Sequence, residues 1–536
     1  MQLSLNGLKE KDFWESSNIK LPLFDIEELR KNTFDNPTWL HFGGGNICRG
    51  FINRDVQSLI NQGLMDTGIV IADTFDKEII EQIYKPYDEL TLMVDLNSNG
   101  NIGMEVIGSV TESLIAMKEC REDMKRLTKI FTSPSLQIVS FTITEKGYTL
   151  YNMNGDLLPI VEADIKNGPS NVSHAMSIVT SLVYERYKAT STPLALVSMD
   201  NCSHNGEKLR TSIMTIAKKW LDSDFVDYGF IDYLNTKVSF PWSMIDKITP
   251  RPDTSVADKL ISLGLENIAP ITTSKGTYIA PFVNAEVPQY LVIEDDFPNG
   301  RPDLTKCGIL LTDRDTVNKC EKMKVTTCLN PLHTCLAVFG CLLGYTLICE
   351  EMKDNDLVNI ITKMGYKEGL PVVTDPGILN PKAFIDEVIF ERLPNPFMPD
   401  APQRIATDTS LKMPIRFGET IKSYINSDTL KVTDLTYIPL TIAGWFRYLL
   451  GIDDNGEEMP ISSDPMLEDL KKGLSVIRYG NMTVRHGCLN SLLSNESIFG
   501  ADLTQCGLSD KIELMLSSML EGKGAVRDTI HRYAEL

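Results

Sequence analysis

A short apolar run, Trp39-Leu40-His41-Phe42, leads into Gly43-Gly44-Gly45-Asn46-Ile47-Cys48-Arg49-Gly50, and a helix-like run from Ile52 to Ile60 follows. This order of strand, glycine turn and helix constrains the fold more than any other feature of the chain. Without side chains the backbone turns sharply and lets a pyrophosphate approach, and the amides at the helix start face the anion. Gly43 and Gly45 form a G-x-G pair, with Gly50 lying beyond the usual third glycine. A second apolar run, Thr67 to Asp73, reads as a parallel strand ending in a carboxylate. An acid at that place accepts the ribose hydroxyls of an adenine nucleotide and repels a 2′-phosphate, which favours NAD over NADP. Asp73 lies further from the glycines than the usual ~20 residues, so a longer connection is expected. The competing reading is that Asp73 caps the following helix.

Composition narrows the class. The chain has 536 residues, 43% of them hydrophobic and 23% charged, which suits a globular protein of two or more domains. A formal net charge of −20 argues against a nucleic-acid partner. The start of the chain lacks the basic-then-apolar pattern of a signal peptide. Eleven scattered cysteines with no C-x-x-C pair read as reduced thiols in a cytoplasmic protein. Pro331 to Cys349 contains no Asp, Glu, Lys or Arg and approaches a membrane span in length. Its Pro, His, Thr and Gly content favours a buried helix of a large domain, with no membrane involved.

Up to about residue 285, strand-like runs such as Gln137 to Thr142 and Leu194 to Ser198 alternate with helical ones at Asn171 to Ala189, Glu207 to Leu221 and Ala257 to Leu263. A further strand is expected at Gln289 to Ile293. Alternation of this kind implies a parallel sheet covered on both faces. Beyond the acidic, proline-containing stretch Glu294 to Pro302, helical patterns dominate: Lys382 to Arg392, Arg404 to Thr409, Pro439 to Leu450 and Lys511 to Leu520. Pro439 is expected at the first position of its helix. The fold class expected is α/β, with a Rossmann-like parallel-sheet domain over residues 1–285 and a mostly α-helical domain over 286–536. The active site is expected in the crevice between the two.

Three further segments carry candidate chemistry. Asp200-Asn201-Cys202-Ser203-His204-Asn205-Gly206 follows an apolar strand, where ligands bind in such sheets, but it equally suits an Asx turn. Phe240 to Pro250 is a dense loop in which Asp246 and Lys247 either pair or face a ligand. Glu321 to His333 starts charged and runs into the apolar helix. There Asn330 and His333 share a helical face, and a lysine losing solvation becomes a base near neutral pH. Pro331 disfavours α conformation at Asn330, so a break in the helix is expected there. A surface lysine beside a satisfied core histidine is the plain alternative.

Taken together, these residues resemble the polyol-specific long-chain dehydrogenases, a family that includes mannitol 2-dehydrogenase, fructuronate reductase and tagaturonate reductase. The shared motifs are G-x-G-N-I-x-R-G-F, D-N-x-x-x-N-G, F-P-x-S-M-x-D-x-I-T-P, V-I-E-D-x-F, the lysine followed by L-N-x-x-H, and A-x-D-x-S-x-K-x-P at Ala406 to Pro414. The resemblance implies an NAD-dependent enzyme that needs no metal. Gly43, Gly45, Asn46, Ile47, Arg49, Gly50 and Asp73 would hold the cofactor. Lys324 would be the general acid–base, Asn201 and Asn330 would stabilise the substrate oxygen, and His333 would bind a neighbouring hydroxyl. Glu321 matches an acid that gates a proton path, and Asp246, Arg392 and Lys412 fall in substrate-side motifs.

The chain also departs from the family. Val325 to Leu329 separate the lysine from Asn330, one residue more than the family keeps, which makes Lys322 the competing base. Pro331 follows Asn330 where glycine is common, Cys48 replaces a glycine of some relatives, and Trp242 stands where asparagine is frequent. The K-V-T-T-C-L-N-P-L-H variant looks most like the uronate-reductase branch, which implies reduction of fructuronate to mannonate. Mannitol 2-dehydrogenase and tagaturonate reductase are the alternatives within the family, and an inactive nucleotide-binding sensor is the alternative outside it. The expected partner is a small sugar acid or polyol, and the chain is expected to be a monomer or small homo-oligomer.

Overall fold

In the computed structural model, which describes residues 1–480 and 484–536, the apolar runs of the first half form six parallel strands. They are β1 (Trp39–Phe42), β2 (Ile69–Asp73), β3 (Val110–Ile115), β4 (Ile138–Phe141), β5 (Leu194–Ser198) and β6 (Val238–Ser239). Their order is β3-β2-β1-β4-β5-β6, the dinucleotide-binding arrangement in which the strand order reverses beside β1. Every residue of β1, β2, β4 and β5 is buried, as expected when helices cover both faces. Alternate residues serve opposite cores: Leu40, Phe42, Val70, Ala72, Val139 and Phe141 on one side, Trp39, Ile69, Ile71, Ile138 and Val197 on the other. Large side chains buried in this way each contribute roughly 1.5–3 kcal/mol. His41, in the middle of β1, places its two ring nitrogens 2.7 Å from Ser140 Oγ and Thr142 Oγ1. Burial pushes its pKa down to about 3, so it is a neutral core group.

The chain divides into two compact units. The first comprises Met1–Asn97 and Asn101–Asn318, and the second Lys319–Leu536 with Ser98–Gly100. The first thus runs past the expected boundary at residue 285. The composition shift at Glu294 to Pro302 marks a surface connection inside the unit. Phe282–Glu286 pairs in parallel with Thr91–Leu96. Tyr290–Glu294 pairs antiparallel with Ser243–Asp246 and parallel with Leu310–Thr312. The strand expected near 289–293 therefore exists, but it belongs to this small sheet.

Helix α1 (Asn53–Asn61) follows the glycine turn and α2 (Asn205–Asp222) follows β5. The helix expected from Asn171 starts later, at Ala175, because the Asp164 carboxylate accepts the amides of Ser173 and His174 and holds them in a turn.

In the second unit, α3 (Arg314–Met323, entering from the first) leads through a π-helical turn, Lys324–Cys328, to α4 (Asn330–Leu343). The apolar α4 is buried: Leu332, Leu336, Ala337, Val338, Phe339 and Leu342 have no exposed surface. By length and composition the helix from Arg314 to Leu343 would pass for a membrane span, but 78% of its apolar window is buried within the fold. It packs against α5 (Tyr437–Tyr448), all of whose residues are buried, and α5 packs against α6 (Ser509–Met519). Pro439 is the third residue of α5 rather than the first. The buried Glu368 carboxylate caps this helix, accepting from the amides of Thr436, Tyr437 and Ile438. Arg404 to Thr409 is not one helix. Pro402–Ile405 ends before Asp408, whose φ of +53° breaks the run, and Thr409–Met413 begins anew.

Candidate functional site

The glycine turn is built as its sequence demands. Gly43 has φ +107°, and a Cβ there would lie 2.2 Å from the Thr142 carbonyl oxygen. A Cβ on Gly45 would meet nothing within 4 Å, so backbone and ligand can approach closely at that residue. The helix begins at Asn46 and widens into a π-helical turn, Cys48–Ile52, before α1. Its first-turn amides have no partners within the helix and favour an anion. Gly50 serves packing: a Cβ there would press on Thr249 and Val283 at 3.2 Å. Arg49 is fully buried beneath the turn, its Nε 3.3 Å from Thr91 Oγ1 and its guanidinium 5.9 Å from the Tyr84 ring centroid. Its two terminal nitrogens and the Asn46 Oδ1 are buried without hydrogen bonds.

Asp73 ends β2 as expected, and its carboxylate is held by backbone amides on both sides. Its Oδ2 accepts from the Gly44 amide at 3.1 Å, and its Oδ1 from the amides of Phe75 and Asp76 at 2.8 Å. It therefore ties the glycine turn to the β2 end and caps the next turn. Burial raises its pKa, and the three amides oppose that rise.

Within D-N-x-x-x-N-G the structure separates scaffold from candidate. Asp200 accepts the amides of Ile143 and Thr144 and the hydroxyl of Tyr148. Asn205 is buried and joined to Ser243 through three contacts and to Asp200 through one: its Nδ2 donates to Ser243 O, Ser243 Oγ and Asp200 O, and its Oδ1 accepts from Ser243 N. Asn201 stands exposed between these anchors. His204, at φ +52°, stacks on Trp242 with centroids 4.4 Å apart.

Asp246 is buried at the end of its strand. Next to it, Lys247 donates to Gln289 Oε1 at 2.8 Å, and Gln289 donates to Asp55 Oδ1 at 3.1 Å. Burial brings the two charged groups toward each other in acidity. Asp55 rises to about 7, and Lys247 falls to about 8 with Arg54 adding to its fall. Lys247 is singled out by its loop, but its partners Gln289 and Asp55 come from distant segments and carry no local signal.

In the second unit Glu321, Lys324, Asn330 and His333 follow one another from α3 into α4, while Arg392 and Lys412 lie on other helices. The π-turn absorbs the extra residue after Lys324: the Leu329 amide donates to the Lys324 carbonyl at 3.1 Å, an i→i+5 bond. The break lies at Leu329, with φ −128°, and Asn330 is the first residue of α4. Lys324 is 3% exposed, whereas the Lys322 side chain is 49% exposed and lies 3.7 Å from Glu419. Glu321 lies near the end of α3, one turn before Lys324.

His333 faces a cationic surround. Burial first, then the charges of Arg416, Arg404, Arg392 and Lys412, push its pKa down to about 3. Its Nε2 lies 3.0 Å from Asp400 Oδ2, out of line for a hydrogen bond, and His333 is neutral. Arg392 is buried. Lys412 donates to the carbonyls of Ile405 and Thr407, and burial lowers its pKa to about 8. Arg404 and Arg416 were not among the expected site residues, although they flank the A-x-D-x-S-x-K-x-P motif, each about two residues outside it.

Known proteins share this layout. The mannitol dehydrogenase Rossmann domain matches residues 37–306 and the mannitol dehydrogenase C-terminal domain matches 316–520. The chain is 50% identical over 532 residues to the D-mannonate oxidoreductase of Thermotoga maritima, covering 99% of this chain and 98% of that one. A substrate-free D-sorbitol dehydrogenase superposes with TM-score 0.80 at 25% identity, covering 96% of this chain and 98% of that chain. The mannitol 2-dehydrogenase of Pseudomonas fluorescens, solved with NAD and D-mannitol, has the same fold, with TM-score 0.70 at 24% identity over all of both chains.

Proposed function

The chain belongs to the mannitol dehydrogenase family, and from that premise we propose that it is an NAD-dependent secondary-alcohol dehydrogenase interconverting D-mannonate and D-fructuronate. The observation that carries the proposal is half-identity over nearly the whole length to a D-mannonate oxidoreductase. The cations around His333 support it, since a hexuronate brings a carboxylate that a hexitol lacks.

The residues fit the cofactor. The strand order, the positive φ of Gly43, the open space at Gly45 and the acid ending β2 suit NAD. Gly43, Gly45, Asn46 and Ile47 would hold its pyrophosphate and Asp73 its ribose, while Arg49 and Gly50 support the turn from below. When bound, the nicotinamide supplies the hydride chemistry.

The chain's own residues handle the proton and the substrate. In our reading Lys324 donates a proton to the carbonyl oxygen during reduction and removes it during oxidation. The side-chain amides of Asn201 and Asn330 offer hydrogen bonds to the oxygen as it gains charge. His333, held neutral, binds a substrate hydroxyl and is unsuited to be the acid. Glu321 passes protons between Lys324 and water, and Arg392, Lys412 and Asp246 orient the sugar. We place the protein in the cytoplasm, in keeping with eleven cysteines of which none forms a disulfide.

A screen of the purified protein with NADH and fructuronate, tagaturonate or fructose tests the proposal. Fructuronate should have the highest kcat/KM. A preference for fructose would make the protein a mannitol 2-dehydrogenase, and a preference for tagaturonate would make it a tagaturonate reductase.

A further inference from the structure

The four cations around His333 are not equivalent. Arg404 is 67% exposed and paired with Asp400. Lys412 directs its ammonium at two backbone carbonyls. Arg392 is buried and has partners of its own. Arg416 differs: among the described residues its guanidinium has one hydrogen bond, from NH1 to Thr334 Oγ1 at 2.5 Å, and no carboxylate lies within ion-pair distance. Burial lowers its pKa to about 10 with no anion to oppose the shift. The Arg416 side chain is only partly exposed, and even partial desolvation of a guanidinium without a counter-charge is costly. A chain with 72 acidic residues has no shortage of counter-charges, yet none is placed here.

Its location narrows the purpose. Thr334 directly follows His333, and its own hydroxyl donates to the Asn330 carbonyl at 3.0 Å. Arg416 is therefore anchored on the turn of α4 that carries Asn330 and His333. With NH1 engaged, Nε and NH2 form the two-donor edge that matches a carboxylate.

We propose that Arg416 receives the carboxylate of the substrate and thereby sets the preference for a sugar acid over a polyol. The inference rests on the function proposed above and names the residue that gives it specificity. Lys412 and Arg404 add positive potential, and the neutral His333 leaves the carboxylate one direct ionic partner.

The test compares D-fructuronate with its uncharged methyl ester, using NADH, in the wild type, Arg416→Lys and Arg416→Met. The wild type should favour the acid by at least about tenfold. In Arg416→Met, kcat/KM for the acid should fall roughly 30-fold or more, the loss expected of a broken buried charge pair, and the acid-to-ester ratio should approach one. Arg416→Lys keeps the charge without the fork, so its ratio should be intermediate. It also decides the matter if the methionine variant fails to fold, as judged by thermal midpoint and NADH binding. A wild-type acid-to-ester ratio in a folded variant overturns the role of Arg416 alone. A wild type that does not reduce fructuronate overturns the proposed function, and this inference with it.

Discussion

Two lysines two positions apart compete for the proton chemistry, and burial separates them. Lys322 projects toward water near Glu419, where an amine keeps its solvation. Lys324 is enclosed at the start of the π-turn. We predict that Lys324→Ala lowers kcat by about 10²–10⁴-fold, the usual worth of a positioned acid–base group, with NADH affinity retained in a fluorescence titration. Lys322→Ala should cost less than tenfold. The reverse ranking would assign the proton step to Lys322. Other residue assignments show how far a sequence reaches. The place of Asp73 at the end of its strand was legible because strand and carboxylate are contiguous. The division of labour in Asp200-Asn201…Asn205 was not, because Tyr148 and Ser243, which claim Asp200 and Asn205, lie far away in the chain. Arg416 was missed for the same reason: its lack of an anion can be seen only once its neighbours are known.

Among elements, the π-turn at Lys324–Cys328 explains how an extra residue enters a helix that leads into a packed core. Local periodicity does not distinguish an i→i+4 from an i→i+5 bond, so the sequence showed an altered spacing without its remedy. The turn lets α4 keep its phase, with Leu332, Leu336 and Phe339 still facing the core. Deleting Val325 should return the segment to ordinary α geometry, preserve the helical circular dichroism and lower the thermal midpoint by only a few degrees. Deleting Val338, inside α4, rotates everything after it by about 100° and should abolish cooperative unfolding. Equal damage from the two deletions would rule out the π-turn as the place where the extra residue is absorbed. Most elements were readable because apolar periodicity is a local signal. The end of the first unit was not, since the strands at 282–312 are claimed by partners at 91–96 and 243–246.

Over the whole molecule, a carboxyl group sets one dependence of stability on pH. Glu351 is fully buried against Gly340, with both oxygens lacking hydrogen-bond partners. Burial first, and then the charge of Asp354, raises its pKa well above the usual glutamate value. A raised folded-state pKa means stability that is fully present below the unfolded value, near ~4.3. It is lost as pH rises toward the folded value, at up to about 1.4 kcal/mol per pH unit. Glu351→Gln mimics the neutral acid, so its thermal midpoint should match the wild type near pH 4.5 and exceed it increasingly up to pH 8. A difference that stays flat over that range would mean Glu351 is ionised in the fold. The pairing of Phe282–Glu286 with Thr91–Leu96 has a further consequence, during synthesis. Ribosomes add ~5–20 residues per second, so the strand at 91–96 is made on the order of 10–40 s before its parallel neighbour. For that interval the nascent chain exposes an open β-edge that includes Met93, the kind of edge along which unfinished chains join one another. Translation speed and chaperone supply over the intervening stretch are therefore expected to bear on the yield of this protein.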